Sequence, residues 1–150
     1  MKIQQIKERL TSFDDVDFAG AQSPEKIDAA EQLLGVQFPP DYRRFLLEFG
    51  CGGVDSEEFI GLGGDDHLSV VKLTKRLRDR SNRPPDNLLP VRADGFGNYD
   101  CIDFNRPAPN GEYCVVQWSH EGGIEQHHEL LATSYGEWFE SILQLIEEDR

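Results

Sequence analysis

The chain has 150 residues, a formal net charge of -13 and a pI near 4.6. A surface of that sign repels phosphate backbones and anionic lipid, so it sets aside direct nucleic-acid and membrane-surface binding and favours a basic protein as partner. A hydrophobic fraction of 38%, with nine Phe and two Trp, supplies a core for one domain over 1–150 and excludes a disordered acidic tail.

Along the chain, Ile3, Ile6 and Leu10 recur at helical spacing and predict a short N-terminal helix. Residues 12–24 read as a polar loop. Ser23 caps a helix with Pro24 at its first position, Ile27, Ala30 and Leu34 line one face, and Gly35 stops it. "VQFPP" is extended, because a residue before proline avoids the helical region. Pro40 or Asp41 starts the next helix, whose buried stripe is Tyr42, Phe45, Leu46 and Phe49, and Gly50 ends it. A short strand, "EEFIGL", is expected inside the glycine-rich segment that follows. Asp65 or Asp66 is expected to cap a further helix running to about Arg80, with Leu68, Val71 and Leu77 inward.

The second half reads as strands joined by tight turns: "LLPV", "YDCIDF", "EYCVVQWSH" and "IEQHHELLA". Ser134 and Glu137 make an S-x-x-E capping box before an apolar run through Trp138, Phe139, Ile142, Leu143 and Ile146, with "EEDR" fraying beyond it. Helices, then consecutive strands, then a helix predict α+β: a largely antiparallel twisted sheet flanked by N-terminal and C-terminal helices.

Charge is uneven along this order. Lys72, Lys75, Arg76, Arg78, Arg80 and Arg83 surround one acid, Asp79, a local balance of +5 against -18 elsewhere. The strip reads as a solvated helix face or a contact for an acidic partner. Cys51, Cys101 and Cys114 show no C-x-x-C spacing, which argues against a disulfide framework and a zinc knuckle. Cys101 and Cys114 lie in strand-like runs and read as buried thiols. Cys51, beside two glycines, could be an exposed one. The opening segment lacks the apolar core of a secretory signal, and no run approaches the ~20 apolar residues of a membrane span, so a cytoplasmic location is expected.

The stretch "DGFGNYDCIDF" invites a site. As a dinucleotide loop it puts Asp100 at the third glycine position and runs into a strand. As a calcium loop of EF-hand type it has Phe96 at a ligand position and Tyr99 where glycine is needed. A hairpin turn accounts for it, with Gly95 and Gly97 supplying positive φ. "HEGGIEQHHE" could offer His120, His127 and Glu129 to zinc or nickel, as in a metal-dependent enzyme, but the spacing is no standard one. His127 and His128 would also point to opposite faces of a strand. No nucleophile has a base placed beside it by motif, and no catalytic residue, metal or cofactor is assigned.

Three segments in order resemble the SUKH superfamily, which includes fungal cell-wall-assembly regulators of the Smi/Knr type and bacterial immunity proteins. They are "AAEQLLGVQFPPDYRRFLLEFGCGG", "LLPVRADGFGNYDCIDF" and "GEYCVVQWSHE"; the closing "SYGEWFESILQ" resembles the family's final helix. The likeness spans about residues 25–146. It falls on Pro39, Gly50, Gly53, Gly97, Asp103, Trp118 and His120, and departs at Phe38, Asn98 and Glu121. It implies fold-bearing roles for these residues, with Asp103 bonding backbone amides at a strand end.

The resemblance further implies a non-enzymatic cytoplasmic immunity protein that neutralises a toxin, such as a nuclease, by binding it. An intracellular scaffold or regulator with a non-toxin partner is the alternative. The expected contact residues are Asp55, Glu57, Glu58, Asp65, Asp66, Asp94 and Glu121, facing a basic toxin domain. The protein is expected to be a monomer or to self-associate weakly.

Overall fold

The computed structural model describes residues 1–123 and 125–149. In chain order the elements are α1 (Ile3–Leu10), β1 (Val16–Phe18), α2 (Pro24–Leu34), α3 (Pro40–Glu48), β2 (Gly52–Val54), β3 (Glu57–Phe59), α4 (Val70–Arg78), β4 (Leu88–Ala93), β5 (Tyr99–Pro107), β6 (Tyr113–Trp118), β7 (Glu129–Ala132) and α5 (Tyr135–Glu148). The fold is α+β and its strand pairs are antiparallel, as expected. The strands divide into two sheets, ordered β1-β2-β3 and β4-β5-β6-β7. The sheets meet where the Ile60 amide donates to the Val91 carbonyl at 3.0 Å.

Helix ends obey local chemistry. Ser23 Oγ accepts the Lys26 amide at 3.2 Å, and Gly35 closes α2 in the left-handed region. Pro39 precedes α3 in extended geometry, and Pro40 takes the first helical position. Ser134 Oγ accepts the Glu137 amide at 3.1 Å, half of the expected capping box. The other half differs: the Glu137 carboxylate reaches the amide and hydroxyl of Thr133, not the Ser134 amide.

The core forms where α3 and α5 meet the sheets. Phe45, Phe59, Tyr135 and Phe139 are wholly buried, with the Phe59 and Phe139 rings 4.7 Å apart. Tyr42 donates its hydroxyl to the Ile60 carbonyl at 2.9 Å, so this buried phenol is satisfied. The first five residues of β5 are all buried, so this strand is covered on both faces.

Four expectations are corrected. The polar loop holds β1, because Phe18 packs its ring 4.9 Å from Phe49 and its backbone pairs with β2. The helix expected from Asp65 or Asp66, α4, begins after Ser69, whose hydroxyl accepts the Lys72 amide at 3.2 Å, and Asp66–Leu68 form a separate 3-10 turn. Its buried residues are Val70, Leu73, Thr74 and Leu77, so Leu68 and Val71 are only partly covered. The last strand is confined to Glu129–Ala132; residues 125–128 precede it outside the sheet, and Ile124 lies outside the described residues, as does Arg150 of the expected frayed end. Cys51 is buried, not exposed, and burial pushes its thiol pKa up.

Of the glycine pair at 52–53, Gly52 is the demanding one. A Cβ there would stand 2.1 Å from the Asp17 carbonyl oxygen, because β1 runs directly against it. At Gly53 the nearest atom would be 3.3 Å away.

Candidate functional site

The "DGFGN" turn is organised by Asp94. Its Oδ1 accepts the amides of Phe96 at 2.7 Å and Asn98 at 3.1 Å, and its Oδ2 accepts the Asn98 side chain at 2.8 Å. The Asp94 amide in turn donates to the Asn98 carbonyl at 3.1 Å. Burial works against the charge of Asp94. The hydrogen bonds, with Arg92 nearby, outweigh it and hold the carboxyl below the ordinary range. The carboxylate is therefore spent on rigidifying the turn. At its tip Phe96 stands 80% exposed.

On one flank of this turn, Arg92 closes an ion-pair chain. Its Nη2 lies 2.8 Å from Glu57 Oε2 and its Nη1 lies 3.2 Å from Asp100 Oδ2. The same Asp100 oxygen accepts the Trp138 indole N–H at 3.1 Å. Burial pushes the Asp100 carboxyl up, against the opposing pull of Arg92 and Trp138.

On the other flank sits His120. Its ring would stand 3.0 Å from a Cβ at Gly97, where φ is +92°. The His120 amide and Nδ1 both reach Asn98 Oδ1, at 3.2 and 3.0 Å. Glu121 follows it, exposed.

The seven expected contact acids differ in what holds them. Glu57 and Glu58 are consecutive on a strand and point to opposite faces. Glu57 joins Arg92, whereas Glu58 joins His67 at 3.0 Å. Asp66 is paired with Lys72, which also pulls its pKa down, and Asp65 precedes it on the same loop. Asp55 is fixed at φ 51° in the β2–β3 turn. Glu57 reaches the start of the 94–98 turn through Arg92, Asp94 lies within that turn, and Glu121 follows His120, which packs on Gly97.

Among the described residues no three His, Cys, Asp or Glu side chains are grouped to hold a metal ion. His120 is engaged with Asn98, and His127 is exposed outside the sheet. Sequence reasoning missed Phe96. Its signal was an aromatic flanked by glycines at the tip of an Asx turn.

A family model, SUKH_5, described as SMI1-KNR4 cell-wall, matches residues 2–144. The chain belongs to this SUKH family. It is 25% identical over 181 aligned positions to the SPbeta prophage-derived uncharacterized protein YokK of Bacillus subtilis (strain 168), covering 100% of this chain and 91% of that protein. A crystal structure of a protein from Pseudomonas syringae pv. tomato shares the fold, with a TM-score of 0.61 and 18% identity over 79% of this chain and 83% of that one.

Residues on which the sequence likeness falls sit at junctions. Gly97 packs on His120. Asp103 accepts the Asn105 amide at 2.9 Å and the Asn87 side chain at 2.8 Å. Trp118 is buried, its ring 6.2 Å from Tyr99. A side chain at Gly50 would meet the carbonyls of Gly20 and Leu62 at 2.6 and 2.7 Å. Among the described residues no helix is long and apolar enough to cross a membrane.

Proposed function

We propose that this SUKH protein is a non-enzymatic cytoplasmic immunity protein that neutralises a cognate toxin by covering its basic surface. Members of the family are often toxin-immunity proteins or regulators, which supports a binding role over a catalytic one. The observation that carries the reading is Phe96. An exposed aromatic on a turn already locked by Asp94 loses little entropy on docking, which is the property of an interface anchor. The carboxylates of Asp55, Glu57 and Glu121 suit a basic toxin domain, such as a nuclease that carries cationic groups for phosphate. Glu58, Asp65 and Asp66 would act on such a partner at longer range, by steering.

The test is co-expression of a candidate toxin domain, such as one encoded beside this gene, with and without this protein, followed by size-exclusion chromatography. Rescue with a one-to-one complex is expected. Reversing Asp55, Glu57 and Glu121 together should weaken the complex and reduce its salt sensitivity. Death in both cultures with no complex would overturn the immunity reading in favour of a scaffold with another partner.

A further inference from the structure

A hollow of about 270 Å³ opens between the β2–β3 turn and the C-terminal turns of α5. Its floor is apolar: Ile142 and Ile146 are buried, while Leu145 is 56% exposed, the one exposed large apolar residue of α5 among the described residues. Its rim is acidic. Asp55 and Glu57 stand on one side and Asp149 on the other.

The rim is fixed and has charge to spare. The Asp55 carboxylate accepts the Asp15 amide at 3.1 Å, and the Asp55 amide donates to the Asp15 carbonyl at 2.7 Å, so the turn cannot swing away without breaking both. Arg92 also lines the hollow, but its guanidinium is already shared between Glu57 and Asp100. Among the described residues neither Asp55 nor Asp149 forms an ion pair. Asp149 follows the last turn of α5, where unpaired carbonyls carry the negative end of the helix dipole and further favour a cation.

An apolar floor with an acidic rim matches one kind of side chain: a long aliphatic stem with a cationic head. The volume suits a single such side chain and falls below the common range of small-molecule sites. We infer that this hollow takes one lysine or arginine of the protein partner, its stem on Leu145 and its head between Asp55 and Asp149. The inference rests on the reading of the chain as a binder of a basic protein and specifies where that partner is gripped.

Two experiments separate the inference from the reading beneath it. In the first, isotope-labelled full-length protein is titrated with acetyl-Leu-Arg-Leu-amide and, as a charge control, acetyl-Leu-Gln-Leu-amide. Amide resonances of Asp55, Leu145 and Asp149 should move with the arginine peptide and not with the glutamine one. The response should vanish in the double variant Asp55→Asn, Asp149→Asn, where asparagine still tolerates the positive φ at 55. Equal responses to both peptides, or shifts confined to other surfaces, would overturn the inference.

In the second, Leu145→Lys should weaken the toxin complex by about tenfold or more with the melting temperature unchanged, because residue 145 is exposed. A toxin that binds wild type and Leu145→Lys equally would overturn the inference and leave the immunity reading intact. A toxin that binds neither would overturn the immunity reading, and the peptide titration would still decide the hollow.

Discussion

Arg92 and Glu57 tie the two sheets together: one carboxylate oxygen on β3 meets Nη2 and Nε of a guanidinium on β4, at 2.8 and 2.9 Å. Asp100 on β5 and Trp138 on α5 extend the chain of contacts. Four side chains thus connect four elements through charged and polar atoms at the edge of an aromatic core. Removing a member that others depend on leaves buried polar groups without partners.

Asp100→Ala is the sharpest cut. It strips an acceptor from the Trp138 indole and one anion from Arg92. The expected loss is about 2–4 kcal/mol by urea denaturation, since unsatisfied buried donors and broken buried pairs cost that much. A loss below about 0.5 kcal/mol, the size of an ordinary surface substitution, would mean that the contact carries no weight.

Asp94 and Asp100 should give opposite pH signatures. Asp100 has its folded pKa raised, so its contribution favours folding below the unfolded carboxylate value, about 3.9, and is lost as pH rises through the folded value. Asp94 has its folded pKa lowered, so its contribution is present above that unfolded value and is lost as pH falls through the folded one. Asp100→Asn, which keeps an acceptor for Trp138, should flatten the stability loss on the rising side. Asp94→Asn should lower stability at neutral pH and reduce the loss on acidification. Denaturation midpoints across a pH series read both slopes, and parallel profiles for the two variants would contradict the assignment.

Phe96→Ala should leave folding stability within about 0.5 kcal/mol of wild type, because the ring covers no core. Its effect belongs to recognition: affinity for the proposed toxin partner should fall by about tenfold or more, as for an aromatic anchor. Calorimetry on the purified complex separates the two, and unchanged affinity would remove Phe96 from the interface.

Gly52→Ala and Gly53→Ala make a paired test of the β1–β2 contact. A methyl at 52 would press on the Asp17 carbonyl, with a cost of about 2–4 kcal/mol expected if β1 is displaced. A methyl at 53 has nearly enough room and should cost less than about 1 kcal/mol. Equal melting temperatures for the two variants would show that β1 is not held against Gly52.

All three thiols are buried, and burial holds Cys51 and Cys101 well toward the protonated, unreactive form. The native protein should therefore label slowly with a thiol reagent at neutral pH, and three equivalents should react once denaturant is added. Fast labelling of one equivalent in the native state would place Cys51 outside the core.

Much of the fold was written in local chemistry. Ser23, Gly35, Pro40 and Ser134 mark helix ends because a hydroxyl acceptor, a left-handed residue or a missing amide hydrogen acts within a few residues. The apolar stripes of α1, α2, α3 and α5 and the strands around Cys101 and Val115 follow from periodicity alone. The net charge, the hairpin glycines and the family likeness were legible in the same way.

Tertiary structure decided the rest, because it concerned residues far apart in sequence. β1 and β2 are three residues each, too short for any period, and exist through pairing and the Phe18–Phe49 contact. Spacing grouped Glu57 with Glu58, but strand alternation and distant partners sent one to Arg92 and the other to His67. Asp94 was expected on the partner surface and is consumed by its own turn, while Phe96 and Leu145, to which no role was assigned, stand in solvent. Exposure and pairing are set by what the rest of the chain brings alongside, and no local pattern encodes that.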